Sequence, residues 1–406
     1  MARVIEVQHL LDVVTGAWLQ HRRILVDVYG RIEAILGPDD SAPANAEPVV
    51  LGGDWVVPGL IDCHSHLVGE LEYAGIPAIN ASAAEEALSG VRNARDTLRA
   101  GFTTVRDVGT YRAFVDVALR DAIIRGWTPG PLMQCAGAYI TAPGGGGEVS
   151  GDAPNMSDLS ADLRFGVVRN PDEVRQKVRA LVDGGAQVIK CIVTGAVLTR
   201  GTQPGVVELP EPMVRAAVDE ADRHGLFVAA HAHGTEGIKV AIRAGVRSIE
   251  HGSLIDDEGI AMLVANGTYL VADVYDGDWI AEEGRRKGWP AETLEKNELT
   301  TEAQRDGFRK AIRAGVKLAY GTDSGVYPHA MAAIQLGYQV RLGQTPLEAI
   351  RSATIVAAEL MGWEASVGSL QPGRYADLVA VDADPLADIE VLRRPSFVVK
   401  AGVPVG

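Results

Sequence analysis

The run Val56-Val57-Pro58-Gly59-Leu60-Ile61-Asp62-Cys63-His64-Ser65-His66 decides how the rest of the chain is read. An apolar, partly β-branched stretch punctuated by Pro-Gly reads as a short buried strand entered through a turn. Residues i and i+2 of a strand share a face, so His64 and His66 point to one side. Two neutral imidazoles on one face chelate a borderline-soft divalent metal. A hydrogen-bonded pair of strand histidines would look the same in isolation, so the metal reading depends on what lies downstream.

Downstream, strand-like runs recur with helical segments between them. They are Thr103–Asp107, Met133–Ile140, Gln187–Ile192, Phe227–His231, Ser248–His251, Thr268–Ala272 and Lys317–Asp323. Amphipathic spacing marks helices in several gaps, as in Glu211 to His224. Gly101, Gly245 and Gly315 each follow an Arg-Ala pair just before a strand, where glycine suits the residue after a helix end. With the first strand this makes eight βα units, the count of an α/β (β/α)₈ TIM barrel. His64, His66, Lys190, His231, His233, His251 and Asp323 all fall at or near C-terminal strand ends, the rim on which such barrels carry their sites. An open doubly wound sheet would explain the strands but not this placement.

Both ends of the chain are strand-rich and too short to hold a core. Ile24–Ile32 reads as strands flanking a Tyr29-Gly30 turn, and Gly373–Asp382 and Ser396–Gly402 read as further strands. The expectation is a composite β-sandwich-like domain of residues 1–57 and 366–406, attached to a barrel over 58–365.

Composition narrows the partners. Of 406 residues, 47% are apolar and 22% charged, the balance of a soluble globular enzyme. A net charge of −15 argues against nucleic-acid or anionic-membrane partners, which demand basic stripes, but says little about the small-molecule substrate expected of an enzyme, because a buried site can differ in sign from the whole surface. Cys63, Cys135 and Cys191 are odd in number, widely spaced and set in apolar runs, a pattern that suits a reducing compartment. The first residues lack the apolar core of a signal peptide, so a cytoplasmic protein is expected. Homo-oligomerisation is left open.

Taken together, Pro58–His66, Val188-Ile189-Lys190, His231-Ala232-His233, Ile249-Glu250-His251-Gly252, Gly321-Thr322-Asp323 and Gly373–Val379 resemble the amidohydrolase superfamily over nearly the whole chain. The similarity is greatest to the prolidase-like and imidazolonepropionase-like branch, with its Xaa-Pro dipeptidases, arginine or lysine carboxypeptidases and ochratoxin amidase. The resemblance implies two divalent metal ions, usually Zn²⁺, with His64, His66 and Asp323 on one and His231 and His251 on the other. It also implies that Lys190 bridges them as N6-carboxylysine. Physical chemistry agrees, because burial lowers a lysine pKa and a neutral amine can capture carbon dioxide. A carboxylate such as Asp323 beside an acidified water can take its proton and pass it to a leaving nitrogen.

His233 shares a strand with His231 and stands where prolidase-like relatives often carry a tyrosine. With Lys239, the basic residue six further on, it is a candidate contact for a substrate carboxylate. His329 and Tyr139 are further candidate pocket residues. Gly144–Gly147 follows the third strand and reads as a mobile rim loop, and Trp279 to Arg309 as polar helices, either a lid or a solvated insertion. The expected activity is hydrolysis of an amide C–N bond in a dipeptide or N-acyl amino acid. The alternative is a cyclic amide, carbamate, urea or ester cleaved at the same centre. Mononuclear deaminase relatives carry a Glu three residues after the strand-five histidine, where this chain has Gly234. A catalytically dead scaffold would not need the whole ligand set.

Overall fold

The structure is a computed structural model, and it describes residues 2–41, 43–68, 81–149 and 159–406. Among the described residues the two chain ends build one sheet of eight strands. Arg3–Asp12 and Ala17–Val26 form its antiparallel hairpin, and Ile32–Leu36 is added beyond the Tyr29-Gly30 turn, where Gly30 takes φ +79°. On the other side Trp55–Pro58 runs parallel to Arg3–Asp12 and antiparallel to Leu378–Val381, with Val57 opposite Val379. Phe397–Lys400 and Val403–Pro404 complete that edge. Ile5, Ile24, Val56, Leu378 and Val399 share its apolar core, so residues hundreds of positions apart fold as one layer.

Trp55–Pro58 leads directly into Leu60–Ser65, the first barrel strand, so the terminal sheet fixes where the barrel begins. Parallel strands Phe102–Asp107, Leu132–Cys135, Ile189–Ile192, Val228–Ala232, Ser248–His251 and Tyr269–Val271 follow, alternating with helices in a TIM-barrel-like α/β fold. Every residue of the first two and of the Val228 and Ser248 strands is buried, as a parallel sheet covered on both faces requires. Cys63 faces the outer helices, where its thiol meets Ala357 O, while His64 faces inward.

Two expected strands differ in form. The third is split: Leu132–Cys135 pairs with the second strand, and only Tyr139–Ile140 pairs with Ile189–Ile192. A left-handed Gly137 (φ +79°) makes the break, and the strand changes partner there. The eighth segment forms no long ladder. It closes the barrel through a few backbone bonds and isolated bridges, among them Leu270 N to Lys317 O and Ala319 N to Leu270 O on one side, and Cys63 N to Tyr320 O and His66 N to Ser324 O on the other. Gly321 is needed at this closure, since a Cβ there would lie 2.2 Å from Val271 and 2.8 Å from His64.

Gly144–Gly147 is not a free loop. Gly146 N donates to Glu208 (2.7 Å), Gly147 N donates to the Thr141 hydroxyl, and residues 145–149 are buried. Trp279 to Arg309 forms parts of two helices, Asp276–Lys287 and Ala291–Ala314. Among the described residues no helix is long and apolar enough to cross a membrane.

Candidate metal centre and its cavity

The strand ends carry their side chains into one cavity of about 1100 Å³, counted to its open mouth. His64, His66, Lys190, His231, His233, His251 and Asp323 all line it. Nε2 of His64 lies 3.4 Å from Asp323 Oδ1, and Nε2 of His66 lies 3.2 Å from the same oxygen. Ligands held ~2.0–2.2 Å from a tetrahedral cation stand about 3.3–3.6 Å from one another. Each imidazole nitrogen is therefore spaced from the Asp323 oxygen much like a neighbour in one coordination shell. His251 links this group to the next: its ring is 4.8 Å from that of His64 and 4.5 Å from that of His231. Donor atoms of His64, His251 and Asp323 lie within 4.8 Å of one another, as do those of His231, His233 and His251.

Burial holds the imidazoles of His64, His231 and His233 well below the usual histidine range, so they are neutral and free to offer a lone pair. Burial works the same way on His66, but the Asp323 carboxylate beside it wins and raises its pKa. The Lys190 ammonium, fully buried, is pushed down to about 8, although Glu250 and Asp323 pull the other way. A cluster of lone pairs around a lysine poised to lose its proton is a donor set for divalent cations. It fits the metal ions that the amidohydrolase family typically uses.

Three of the ligand candidates, His64, His66 and His251, are also aimed from behind. His64 Nδ1 bonds Glu250 Oε2 at 2.9 Å, and the other Glu250 oxygen accepts from Arg106 (2.8 Å) and Ser248 (2.5 Å). Arg106, buried inside the barrel, also donates to Cys63 O. His66 Nδ1 bonds Gly109 O at 2.7 Å, and His251 Nδ1 bonds Asp273 Oδ2 at 2.7 Å. Burial alone would raise the Asp273 pKa, yet the adjoining His251 holds it well below the ordinary carboxylate range. With Nδ1 occupied, Nε2 is the nitrogen turned to the cavity, the usual backing of a metal-bound histidine. Asp62 accepts from the backbone N–H of His64 and Thr322, both 3.1 Å away, and so ties the first strand to the closing segment. His251 (φ +67°) and Asp323 (φ +56°) both take the left-handed backbone conformation, which turns their side chains into the cavity at the cost of strain.

The substrate-contact candidates separate. Tyr139 lines the cavity, with its hydroxyl 3.2 Å from His66 Nδ1. His233 is fixed through Nδ1 by the Ser253 hydroxyl at 2.8 Å. His329 is buried behind the site rather than among the lining residues, and its Nε2 bonds His66 O at 3.1 Å. Lys239 is not brought to the cavity. Its ammonium pairs with Asp256 (2.8 Å) and Glu258 on the neighbouring helix start, because it lies on the face of helix Thr235–Ala244 that meets those residues. Gly234 caps that helix, and a Cβ there would run into the Gly205 backbone at 2.7 Å, so no glutamate fits.

Sequence reasoning missed the backing residues Glu250, Arg106 and Asp273, although a charged residue inside an apolar strand run, as in Thr104-Val105-Arg106, was a usable signal. It also missed the wall. Glu86, Tyr111, Arg112, Leu198 and Ile280 line the cavity from loops and helices, where no periodicity marks them.

Residues 55–405 match the profile of the amidohydrolase family, and the chain belongs to that family. It is similar to ochratoxinase of Aspergillus niger, 33% identical over 360 residues that cover 84% of this chain and 73% of the relative. Imidazolonepropionase of Chromobacterium violaceum is 26% identical over 401 residues, covering 90% and 86%. The crystal structure of a Xaa-Pro dipeptidase with bound methionine in the active site superposes with a TM-score of 0.92 at 34% identity, over 100% of this chain and 99% of that one. The protein is accordingly a hydrolase of the amidohydrolase family.

Proposed function

We propose that the protein hydrolyses the amide C–N bond of a small open-chain substrate, a dipeptide or N-acyl amino acid, at a binuclear metal centre. The observation that carries this reading is the convergence of four backed or neutral imidazoles, Lys190 and Asp323 on one cavity. His64, His66 and Asp323 would hold one cation, His231 and His251 the other, and Lys190, as N6-carboxylysine, would reach both. Zinc suits the nitrogen-rich set. When bound, the cations would polarise the amide carbonyl and acidify water toward neutral pH. Asp323 would take the proton of the attacking water and deliver it to the leaving nitrogen, the role its position beside both His64 and His66 supports. Tyr139 and His233 would border the bound substrate, and His329 would hold the His66 backbone in place.

We further assign residues 1–57 and 366–406 to a composite β-domain and 58–365 to the catalytic barrel. A reducing, cytoplasmic setting suits the three buried free cysteines. A second reading, cleavage of a cyclic amide, carbamate, urea or ester, is favoured by one observation. Lys239, the cation expected to receive a substrate carboxylate, points elsewhere. Metal analysis of the purified protein should find close to two divalent ions per chain. A panel of dipeptides, N-acyl amino acids, lactams and carbamates, assayed with the zinc-loaded protein, should show turnover of the open-chain amides. Turnover of ring or carbamate substrates alone would replace the first reading with the second.

A further inference from the structure

The segment that follows strand Ile189–Ile192 supplies an apolar part of the cavity wall. Ala196, Val197, Leu198 and Thr199 line the cavity there, and Val197 shares a buried apolar cluster with Ile280 and Val326. Val197 and Leu198 have no polar atom with which to fix themselves, so their positions are inherited from the backbone that carries them. The two ends of the segment are tied to the barrel. Gly195 N donates to Val206 O at 3.2 Å, Glu208 N donates to Val193 O at 2.8 Å, and the Thr194 hydroxyl accepts from His233 N at 3.0 Å.

The stretch between these ties is held by a lysine. The Lys296 ammonium donates to Thr199 O at 2.7 Å, to Thr202 O at 3.2 Å and to Glu292 Oε1 at 3.1 Å, which uses all three of its N–H donors. Glu292 Oε1 also accepts from Gly201 N at 2.9 Å. Two side chains one turn apart on helix Ala291–Ala314 thus grip three peptide groups of the segment. A further hold comes from the Thr199 hydroxyl, which donates to Gly146 O at 2.6 Å. Lys296 is only 4% exposed. A lysine that merely neutralised Glu292 would do so at the surface, because burying an ammonium is costly unless every donor is met. Here every donor is met, and two of the three acceptors belong to the wall segment.

From this we infer that Lys296 is a positioning residue for substrate selection. It does not line the cavity. By holding the peptide groups of 199–202 it sets how far Val197 and Leu198 reach into the space for an apolar group of the substrate. The inference rests on the amidase reading for its substrates but not for the hold on the segment. The same helix carries Gln304, about two turns further on, whose amide donates to Asp273 at 2.5 Å, the carboxylate behind His251. That supplies an internal control. Damage spreading along the helix would reach the metal ligands, whereas loss of the hold alone would stop at the wall.

Lys296→Met keeps the stem and removes the ammonium. With the full-length zinc-loaded protein, kcat and KM are measured for Ala-Ala, Phe-Ala and Ala-Phe, alongside zinc content and hydrogen exchange by mass spectrometry. The kcat/KM ratio of the better bulky peptide to Ala-Ala should fall about tenfold, the scale of a few methylene contacts. The change should sit in KM rather than kcat, with zinc content as in wild type. Residues 196–202 should exchange roughly tenfold faster or more, and 248–251 as in wild type. Equal losses for all three peptides, or loss of zinc, would reduce Lys296 to a purely structural residue and overturn the inference. Unchanged exchange over 196–202 overturns it whether or not any peptide is turned over. Faster exchange there, in a protein that hydrolyses none of the peptides, supports the hold and counts against the amidase reading. If Lys296→Met does not fold, Glu292→Gln decides. It weakens the grip on both Nζ and Gly201 N, and should lower the same ratio and loosen the same residues by a smaller factor; no change in either overturns the inference.

Discussion

The floor and the wall of the cavity are built by opposite means. On the floor, barrel strands present the imidazoles, and His64, His66 and His251 are each gripped from behind by a carboxylate or carbonyl. On the wall, side chains come from helix starts and connecting segments, and one Glu86 oxygen has no hydrogen-bond partner among the described residues. The floor is over-determined, so its geometry tolerates nothing. The wall is under-determined, so it can be changed to suit a ligand. Substitutions on the floor should therefore act on every substrate alike, and those on the wall should act on the ratio between substrates.

The largest effect is expected at Lys190. Lys190→Ala should strip metal and abolish turnover for all substrates together, with partial rescue by short carboxylic acids that replace the bridge. Full metal content by elemental analysis, together with normal rates, would break the account of the floor. Asp323→Asn comes next, lowering kcat by ~10²–10⁴-fold across the substrate panel, as expected for loss of a general base. Wild-type rates in the metal-loaded variant would remove Asp323 from that role.

Glu250→Gln keeps the shape but weakens the hold on His64. Loss of such backing typically costs ~10–100-fold in metal affinity, which chelator competition would read. Affinity equal to wild type would show that the backing is not needed. On the wall, Ile280→Ala should leave metal content intact and shift kcat/KM between bulky and compact substrates by roughly tenfold, the scale of a few methylene contacts. A uniform loss for both would erase the distinction between floor and wall. The smallest effect belongs to Lys239→Ala. Held by Asp256 and Glu258 away from the cavity, it should leave KM for a carboxylate substrate unchanged, and a selective rise in KM would return it to the site.

The same contrast explains what could be read before the fold was known. His-x-His after a β-branched run, a lysine ending Val-Ile-Lys and an aspartate after Gly-Thr carry strand periodicity with them, so their convergence was legible once eight βα units were counted. The terminal strands were legible as strands, and their pairing across the chain follows because neither end buries its face alone. Lys239 misled because six residues along a helix can turn a side chain toward a neighbour's helix start as readily as toward the site. Glu86 and Arg112 were invisible because the contact between a helix start and a distant loop leaves no spacing in the sequence. The third strand was read as one piece because Gly137 marks a possible break without saying that the pairing partner changes.

The left-handed backbone at His251 and Asp323 has an evolutionary consequence. A non-glycine residue held there costs on the order of 1–3 kcal/mol, an amount that glycine at either position would largely relieve. Drift toward greater thermal robustness therefore runs through the loss of these two side chains. A descendant freed from selection for catalysis would be expected to lose them early, keep its barrel and gain in stability as its chemistry disappeared.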